Sequence, residues 1–538
     1  MPELLKNTRM TFQDLTNFLA ARHGRKKLIQ VDGSSLSYGD MRRQSENVSN
    51  NLLELGIGRG ARVGLLMPNS VKWIPIALGI MNVGAVLVPV NTWYKEGELS
   101  HVIKNSDISL LFSVDRFLKK DYRKIFHKLG IRSKGGKLIN RDFPFLMNVV
   151  IYSTGSQGAS DGFIEGIDFE TPREDVDRRT LWNIGRETQS FDPCLMLYTS
   201  GSTGRPKGVI HTHESIIRNA INISERMFIN HEDRIYSHFP FFFSAGFCNA
   251  FMGGFVRGAT IFTHEKFDPE EAIEIISRHK CTVHQTWPSA IKELIASPMF
   301  DPAKVATLGK GTFPLGLQFP ELKLKKDFGI NMYGMTETAT AFTCNSGDDN
   351  DEKRLSTHGT PFEGTELRIV NPDTGETNCT DEPGEIQVKG YNVFQGYHKL
   401  PKADYFTTDG YFRTGDMGLI TSEGQLRYLG RISQTIKVSG FNVSPDEIEE
   451  MLLKHDGVLK AFVVGKKDRE KEEVPAAFIV RKDESEVSAE ELMAFLRKKM
   501  SSYKVPSHYF FVKDEELTFT GTGKVNRKSL GALAETMD

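Results

Sequence analysis

Eleven residues from Tyr198 to Gly208, Y-T-S-G-S-T-G-R-P-K-G, follow the apolar run Leu195-Met196-Leu197 and hold three glycines, four small hydroxyl side chains and one lysine. Glycine tolerates backbone conformations closed to other residues, so at Gly201 and Gly204 successive N–H groups can turn toward one anion. Thr199, Ser200, Ser202 and Thr203 add hydroxyl donors, and Lys207 adds a positive charge. Such a set suits a polyphosphate. The run is not the common phosphate loop, which needs G-x-x-x-x-G-K-[ST]; here the glycine spacing is shorter and Pro206 precedes the lysine. The apolar run before it reads as a strand, which puts the loop at a sheet edge.

Four later stretches carry further candidate groups: Asn331 to Thr338 (N-M-Y-G-M-T-E-T), Tyr411 to Gly418 (Y-F-R-T-G-D-M-G), Gly430 to Glu449 (G-R-I-S-Q-T-I-K-V-S-G-F-N-V-S-P-D-E-I-E) and Leu517 to Arg527 (L-T-F-T-G-T-G-K-V-N-R). Together with the first run and with Gly84 to Asn91 (G-A-V-L-V-P-V-N), they form six ordered motifs over nearly the whole chain. The set resembles the signatures of the adenylate-forming superfamily, which holds acyl-CoA synthetases, luciferases and peptide-synthetase adenylation domains. The resemblance implies that Thr199, Ser200, Gly201, Ser202, Thr203, Gly204 and Lys207 cradle the phosphates of ATP. By the same likeness Tyr333 packs against adenine beside Gly334, Thr336 touches a phosphate, and Glu337 helps hold Mg2+. A magnesium ion prefers one or two carboxylates beside phosphate oxygens, which agrees with a single glutamate there.

Asp416 and Arg431 take the ribose in this likeness. A carboxylate can accept two hydrogen bonds from a vicinal diol, whereas outside such company Asp416 would read as a turn residue ahead of a strand at Leu419-Ile420. Ser433 falls at the hinge, where the family usually carries Asp or Lys, and Lys437 and Gly440 face the site in the second half-reaction. By the same likeness Lys524 would bridge the carboxylate and the α-phosphate during adenylation, a task that suits a compact ammonium. Thr518 and Phe519 replace the usual Pro and Lys of this last motif, on its flank. Ser444-Pro445-Asp446-Glu447 also reads as a helix start, with a serine cap and acids facing the dipole.

The segment Pro240 to Phe247, P-F-F-F-S-A-G-F, resembles the part of the family that ends the acyl pocket, with Phe243 where a histidine is common. No aspartate stands where amino-acid-activating members bind the substrate ammonium, so an α-amino acid is not expected. Phe243, Phe247, Trp287, Gly311 and Thr312 are the expected walls, apolar as the tail of an organic acid requires. The implied reaction has two steps at one site: the acid attacks the α-phosphorus of ATP to give acyl-AMP and pyrophosphate, then the thiol of CoA displaces AMP. An adenylate-only ligase that loads a carrier protein is the alternative; its insertion after the Y-G-x-T-E glutamate is absent between Glu337 and Gly364. Luciferase-like oxidation of the adenylate shares every motif. A catalytically silent nucleotide sensor is disfavoured by the joint presence of Lys207, Glu337, Asp416, Arg431 and Lys524.

Positioning these groups takes more than one domain. At 538 residues the chain exceeds one ordinary core. Short apolar runs such as Arg62 to Met67 and Ala85 to Val90 alternate with amphipathic segments such as Tyr38 to Leu55, the pattern of βαβ units around parallel strands. The expectation is an α/β fold: a large N-terminal AMP- and acyl-binding domain of layered βα subdomains, residues 1–430, and a small mobile α+β lid, residues 431–538. In the lid, strands are expected at Ala461 to Gly465 and Ala476 to Arg481, and helices at Ser444 to Lys454 and Ser488 to Met500. The most apolar run, Ile74 to Val90, is broken by Pro75, Asn82, Gly84 and Pro89 and reads as helix, turn and strand, not as a membrane span.

Lys and Arg total 68 against 69 Asp and Glu, a net charge of -1, which gives no electrostatic case for nucleic acid as a partner. The expected partners are a small carboxylic acid, ATP and CoA, and a homodimer is compatible with the sequence. Five scattered cysteines without C-x-x-C spacing indicate neither a disulfide framework nor a zinc site, and no signal-peptide core appears, so a cytoplasmic setting is expected. Lys119 to Arg141 carries nine basic residues and one acid, Asp121, and reads as a solvated helix and loop. Asp348 to Glu352 reads as a turn-rich acidic loop.

Overall fold

Runs of β-branched and leucine residues form strands buried on both faces, as parallel sheets demand. A computed structural model describes residues 9–134, 137–153, 162–170, 178–199, 206–438, 441–468, 472–483, 485–519 and 525–537. An eight-stranded sheet runs, in spatial order, Ile164–Glu165, Asn148–Tyr152, Leu110–Val114, Arg62–Leu66, Val86–Pro89, Pro193–Thr199, Lys207–Thr212 and Gly396–Tyr397. Its first six strands are parallel and the last two pairings antiparallel. A six-stranded sheet joins Lys310–Gly311, Val283–Gln285, Arg234–Ser237, Thr260–Thr263, Lys27–Val31 and Ser34–Ser37, parallel except for the last hairpin.

Helices cover these strands where the sequence places them. Tyr38–Glu54 starts at Ser37, whose hydroxyl accepts from the Asp40 N–H and so satisfies one orphan donor of the first turn. The apolar run after it resolves into helix Trp73–Asn82, buried at every position, and strand Val86–Pro89. Among the described residues no helix is long and apolar enough to cross a membrane.

The chain divides into two compact units, Met1–Glu366 with Lys389–Asp404, and Leu367–Val388 with Tyr405–Asp538. The fold is thus mixed α/β, with a larger N-terminal and a smaller C-terminal body. In the second unit, Phe412–Ile420 pairs antiparallel with Gly384–Gly390 on one side and Leu426–Arg431 on the other. Beyond it, Val458–Asp468 and Glu472–Arg481 form one long antiparallel pair, longer than the short strands expected there. Side-chain alternation divides their residues between two cores: Val463, Ala477 and Ile479 pack with Ile448, Leu452, Leu492 and Leu496, while Val464, Ala476 and Phe478 pack with Phe510, Leu517 and Leu530. Helices Pro445–Leu452 and Ala489–Arg497 start at Ser444 and Ser488, each accepting a backbone N–H in its first turn.

One local expectation changes. The acidic stretch near Asp348 is a helix start as well as a loop: Asn350 caps Asp351–Ser356, placing Asp351 and Glu352 against the positive end of the dipole. The basic stretch from Lys119 is a solvated helix and loop as expected, with Lys119, Lys124, Lys128, Arg132 and Arg141 exposed, while Lys120 donates to the Thr92 and Tyr94 carbonyls and Arg123 pairs with Glu165.

Candidate active site

Strands Pro193–Thr199 and Lys207–Thr212 pair with Thr199 opposite Lys207, so the glycine-rich run is the connection of a hairpin. It springs from strands inside the sheet, because the two-residue strand Gly396–Tyr397 pairs beyond Lys207–Thr212, and not from an edge as the sequence suggested. Ser200, Gly201, Ser202, Thr203 and Gly204 lie outside the described residues. Lys207 Nζ stands 5.2 Å from the centroid of the Tyr397 ring, and the Tyr397 hydroxyl donates to Glu337 Oε1 at 2.7 Å. Tyr397 was not singled out from the sequence; its partner is 60 positions away, and only the strand pairing brings them together.

The Y-G-M-T-E-T segment is held by neutral hydrogen bonds. Strand Met332–Tyr333 leads into a single 3-10 turn, Thr336–Thr338, followed by Ala339 at φ 53° and Thr340 at φ 97°. Non-glycine residues in that region carry strain that the surroundings must offset. Asn219, buried on helix His213–Arg226, does so by donating to the Ala339 and Ala341 carbonyls, both at 2.9 Å. His211 Nε2 donates to the Thr336 carbonyl at 2.6 Å, which fixes the neutral Nε2–H tautomer. Burial pulls this imidazole down to about 4. Gly334 is required by space: a Cβ there would run into Ala341 Cα and the Thr340 carbonyl. Tyr333 is buried edge-on to Phe342 at 5.3 Å, and Glu337 retains 9% exposure.

The second unit holds its groups by charge. Asp416 lies inside strand Phe412–Ile420, not in a turn ahead of Leu419, directly across from Arg431. Arg431 Nε meets Asp416 Oδ1 at 2.9 Å and Nη1 donates to the Thr414 carbonyl. Ser433 is exposed in the short 3-10 turn Ile432–Gln434. Lys437 is exposed on strand Ile436–Val438, and its backbone N–H donates to Glu473 Oε2. Gly440 and Lys524 lie outside the described residues, but the flanks of Lys524 are defined. Phe519 and Val525 form one antiparallel bridge, and Asn526 N–H donates to the Thr518 carbonyl. Arg527 then forks onto Glu449 at 2.6 and 2.9 Å and onto Asp446 at 2.9 Å, tying the last motif to helix Pro445–Leu452.

The pocket residues separate. Ala245–Phe251 is a π-helix that continues into α-helix Met252–Phe255. Phe247 on it is wholly buried among Phe12, Trp73 and Phe251, a core residue and not the pocket wall expected. Phe243 keeps partial exposure against Trp93. Trp287 and Phe242 line a cavity of about 300 Å³ together with Trp93, Phe117, His238 and Phe267. Gly311 and Thr312 are not on that cavity; Gly311 abuts the His284 ring so closely that no Cβ fits, and Thr312 Oγ1 lies 3.5 Å from the Thr286 carbonyl. Ser244, within the same P-F-F-F-S segment, reaches Thr336 Oγ1 at 3.5 Å and accepts at its carbonyl from Thr340, joining this segment to the Y-G-M-T-E-T segment.

Comparison with known proteins shows the family. The AMP-binding enzyme family matches residues 17–398, and the AMP-binding enzyme C-terminal domain matches residues 447–524. The medium-chain acyl-CoA ligase of mouse mitochondria is 29% identical over 510 residues, covering 92% of this chain and 82% of the mouse protein. The 4-coumarate:CoA ligase 1 of Petunia hybrida is 28% identical over 517 residues, covering 92% of this chain and 88% of the plant protein. The crystal structure of the anthranilate CoA ligase AuaEII with anthranoyl-AMP has the same fold, with TM-score 0.80 at 23% identity over 98% of each chain. The fold and motifs define an adenylate-forming ligase. The chain belongs to the AMP-binding enzyme family. It is an acid-thiol ligase of the acyl-CoA synthetase kind, and use of ATP and CoA follows from that membership.

Proposed function

We propose that the chain is an ATP-dependent carboxylic acid:CoA ligase that works through acyl-AMP on an organic acid with an apolar tail, fatty, cyclic or aryl. The observation that carries this reading is the array of Lys207, Tyr397 and Glu337, which aligns a cation and a carboxylate beside the glycine-rich hairpin. Lys207, Thr199, the hairpin residues and Thr336 would bind the phosphates; Tyr333 and Gly334 would border the adenine; Asp416 and Arg431 would hold the ribose. Among the described residues no group of three or more His, Cys, Asp or Glu could cage a metal alone. One buried carboxylate, Glu337, fits Mg2+, which takes its remaining ligands from phosphate and water and would offset phosphate charge when bound.

In the first step a carboxylate oxygen of the acid forms a bond to the α-phosphorus, and the bond to pyrophosphate breaks. Lys524 would neutralise the charge that spreads over the phosphoryl oxygens, and the protein otherwise supplies positioning. In the second, the CoA sulfur bonds to the acyl carbon, AMP leaves, and the thiol proton passes to solvent. Lys437 and Gly440 would border that step after residues 431–538 turn against residues 1–430 at Ser433. We place the reaction in the cytoplasm. The aromatic cavity at Trp287 takes an organic chain, and Trp287→Ala assigns it: a raised KM for the acid marks the tail, a raised KM for CoA marks the thiol arm.

The test is pyrophosphate release over a panel of aliphatic, aromatic and cyclic acids, with and without CoA, with acyl-AMP and acyl-CoA identified by mass. Acyl-AMP without CoA and acyl-CoA with it are expected. Acyl-AMP that turns over only with a carrier protein would replace the acceptor, and ATP binding without pyrophosphate from any acid would overturn the enzyme assignment.

A further inference from the structure

Tyr397 stands between two groups of opposite charge and touches both. Its strand is stitched to each side: Gln395 N–H donates to the Ile210 carbonyl, His398 N–H to the Gly208 carbonyl, and Phe394 N–H to the Glu337 carbonyl, at 2.8, 2.8 and 2.9 Å. The Phe394 ring packs edge-on to the Tyr397 ring at 4.8 Å, which limits its rotation. With backbone and ring so fixed, the phenol donates to Glu337 Oε1 while the ring face receives Lys207 Nζ. A neutral donor orients a carboxylate without cancelling its charge, as a lysine or arginine would, and among the described residues no hydrogen bond to Oε2 is found. The aromatic face meanwhile attracts the ammonium. Among the described residues Lys207 and Glu337 make no ion pair with each other.

We propose that Tyr397 is a positioning residue: its hydroxyl sets the Glu337 carboxylate for the magnesium ion of bound nucleotide, and its ring keeps the Lys207 ammonium on the phosphates and off that carboxylate. This rests on the roles proposed above for Glu337 and Lys207. It couples cation and nucleotide through one side chain, so the two functions of that side chain separate by substitution.

The test is direct metal binding. Mn2+ is titrated by electron paramagnetic resonance into the full chain saturated with α,β-methylene-ATP, and the metal-free analogue is titrated separately by calorimetry. Tyr397→Phe, which keeps the ring, should weaken Mn2+ about tenfold while changing affinity for the metal-free analogue by less than about twofold. Tyr397→Leu should in addition weaken the analogue about fivefold, the loss of a cation seat over an aromatic ring. Each variant is first shown to be folded by circular dichroism under the titration conditions, because an unfolded population raises the apparent dissociation constant by the reciprocal of the folded fraction. If Glu337→Gln weakens Mn2+ and Tyr397→Phe does not, the role of Tyr397 is overturned. If Glu337→Gln itself leaves Mn2+ affinity unchanged, the metal reading of Glu337 falls first, and that result is distinct from the former.

Discussion

The two units hold their candidate groups by different physics. Around Glu337 the braces are neutral and buried: the His211 imidazole on the Thr336 carbonyl, the Asn219 amide on two carbonyls past the strained pair, and the Tyr397 phenol on the carboxylate. Around Asp416 and the last motif the braces are charged, the single contact of Arg431 with Asp416 and the fork of Arg527 on Glu449 and Asp446. Neutral braces depend on shape and on protonation of one ring. Charged ones depend on the arginine being present, because removing it leaves the Asp416 or Glu449 carboxylate uncompensated in a poorly solvated place. The first unit is therefore built to keep one arrangement, and the second to fasten a segment by a few separable clasps.

The largest expected effect tests whether the clasped segment delivers a charge to one step only. Lys524→Ala should slow adenylation about a thousandfold, ~4 kcal/mol of transition-state stabilisation, while thioester formation from pre-made acyl-AMP is largely kept. Equal loss in both half-reactions would mean a residue common to both, and the contrast between the units would lose its functional side. Next comes Arg527→Ala, which strands the Glu449 carboxylate, whose pKa burial already raises. It should cost roughly 3 kcal/mol in denaturant unfolding, and Arg527→Met with Glu449→Leu should recover most of it. A double variant as unstable as the single one would show that packing, not charge, fastens the segment.

Acid should act on the other unit. The folded His211 titrates near 4 and the unfolded ring near its ordinary 6.5, so between those values the unfolded chain binds more protons and stability rises with pH. The contribution is full above pH 6.5 and is lost as pH falls toward 4, on the order of 2 to 3 kcal/mol per such ring. His213 and His284, both held near 4 by burial, add in the same direction. His211→Gln should flatten this acid limb in urea unfolding followed from pH 7 to 4; an unchanged slope would deny the buried neutral ring its part. The smallest effect is Phe243→Ala, expected to cost about 1 kcal/mol for the preferred acid and to reorder a panel of acids. A raised KM for ATP with the same ranking would place Phe243 on the nucleotide side.

What the sequence disclosed follows from what is local. Capping at Ser444, the break of Ile74 to Val90 into helix and strand, and the hairpin-flanking strand through Leu197 all depend on residues a few positions apart. The motifs were legible because each is contiguous. Tyr397 was not, since its meaning arises from pairing with Val209 and a hydroxyl contact far along the chain. Asn219 escaped for the same reason. Phe247 misled because an apolar side chain looks alike whether it lines a pocket or fills a core; the π-helix decides which way it points. The strain at Ala339 and Thr340 carries no glycine to announce it.

The π-helix Ala245–Phe251 also bears on how such a pocket changes between related enzymes. Each of its hydrogen-bonded rings holds one residue more than an α-helical ring, so loss of a single codon within it would restore the commoner helix. The turn that carries Phe242 and Phe243 ahead of the helix would then be drawn in by one helical residue, about 1.5 Å of rise and about 100° of rotation, relative to Met252–Phe255. A one-residue deletion would thus move that aromatic turn as a unit against the buried core below it.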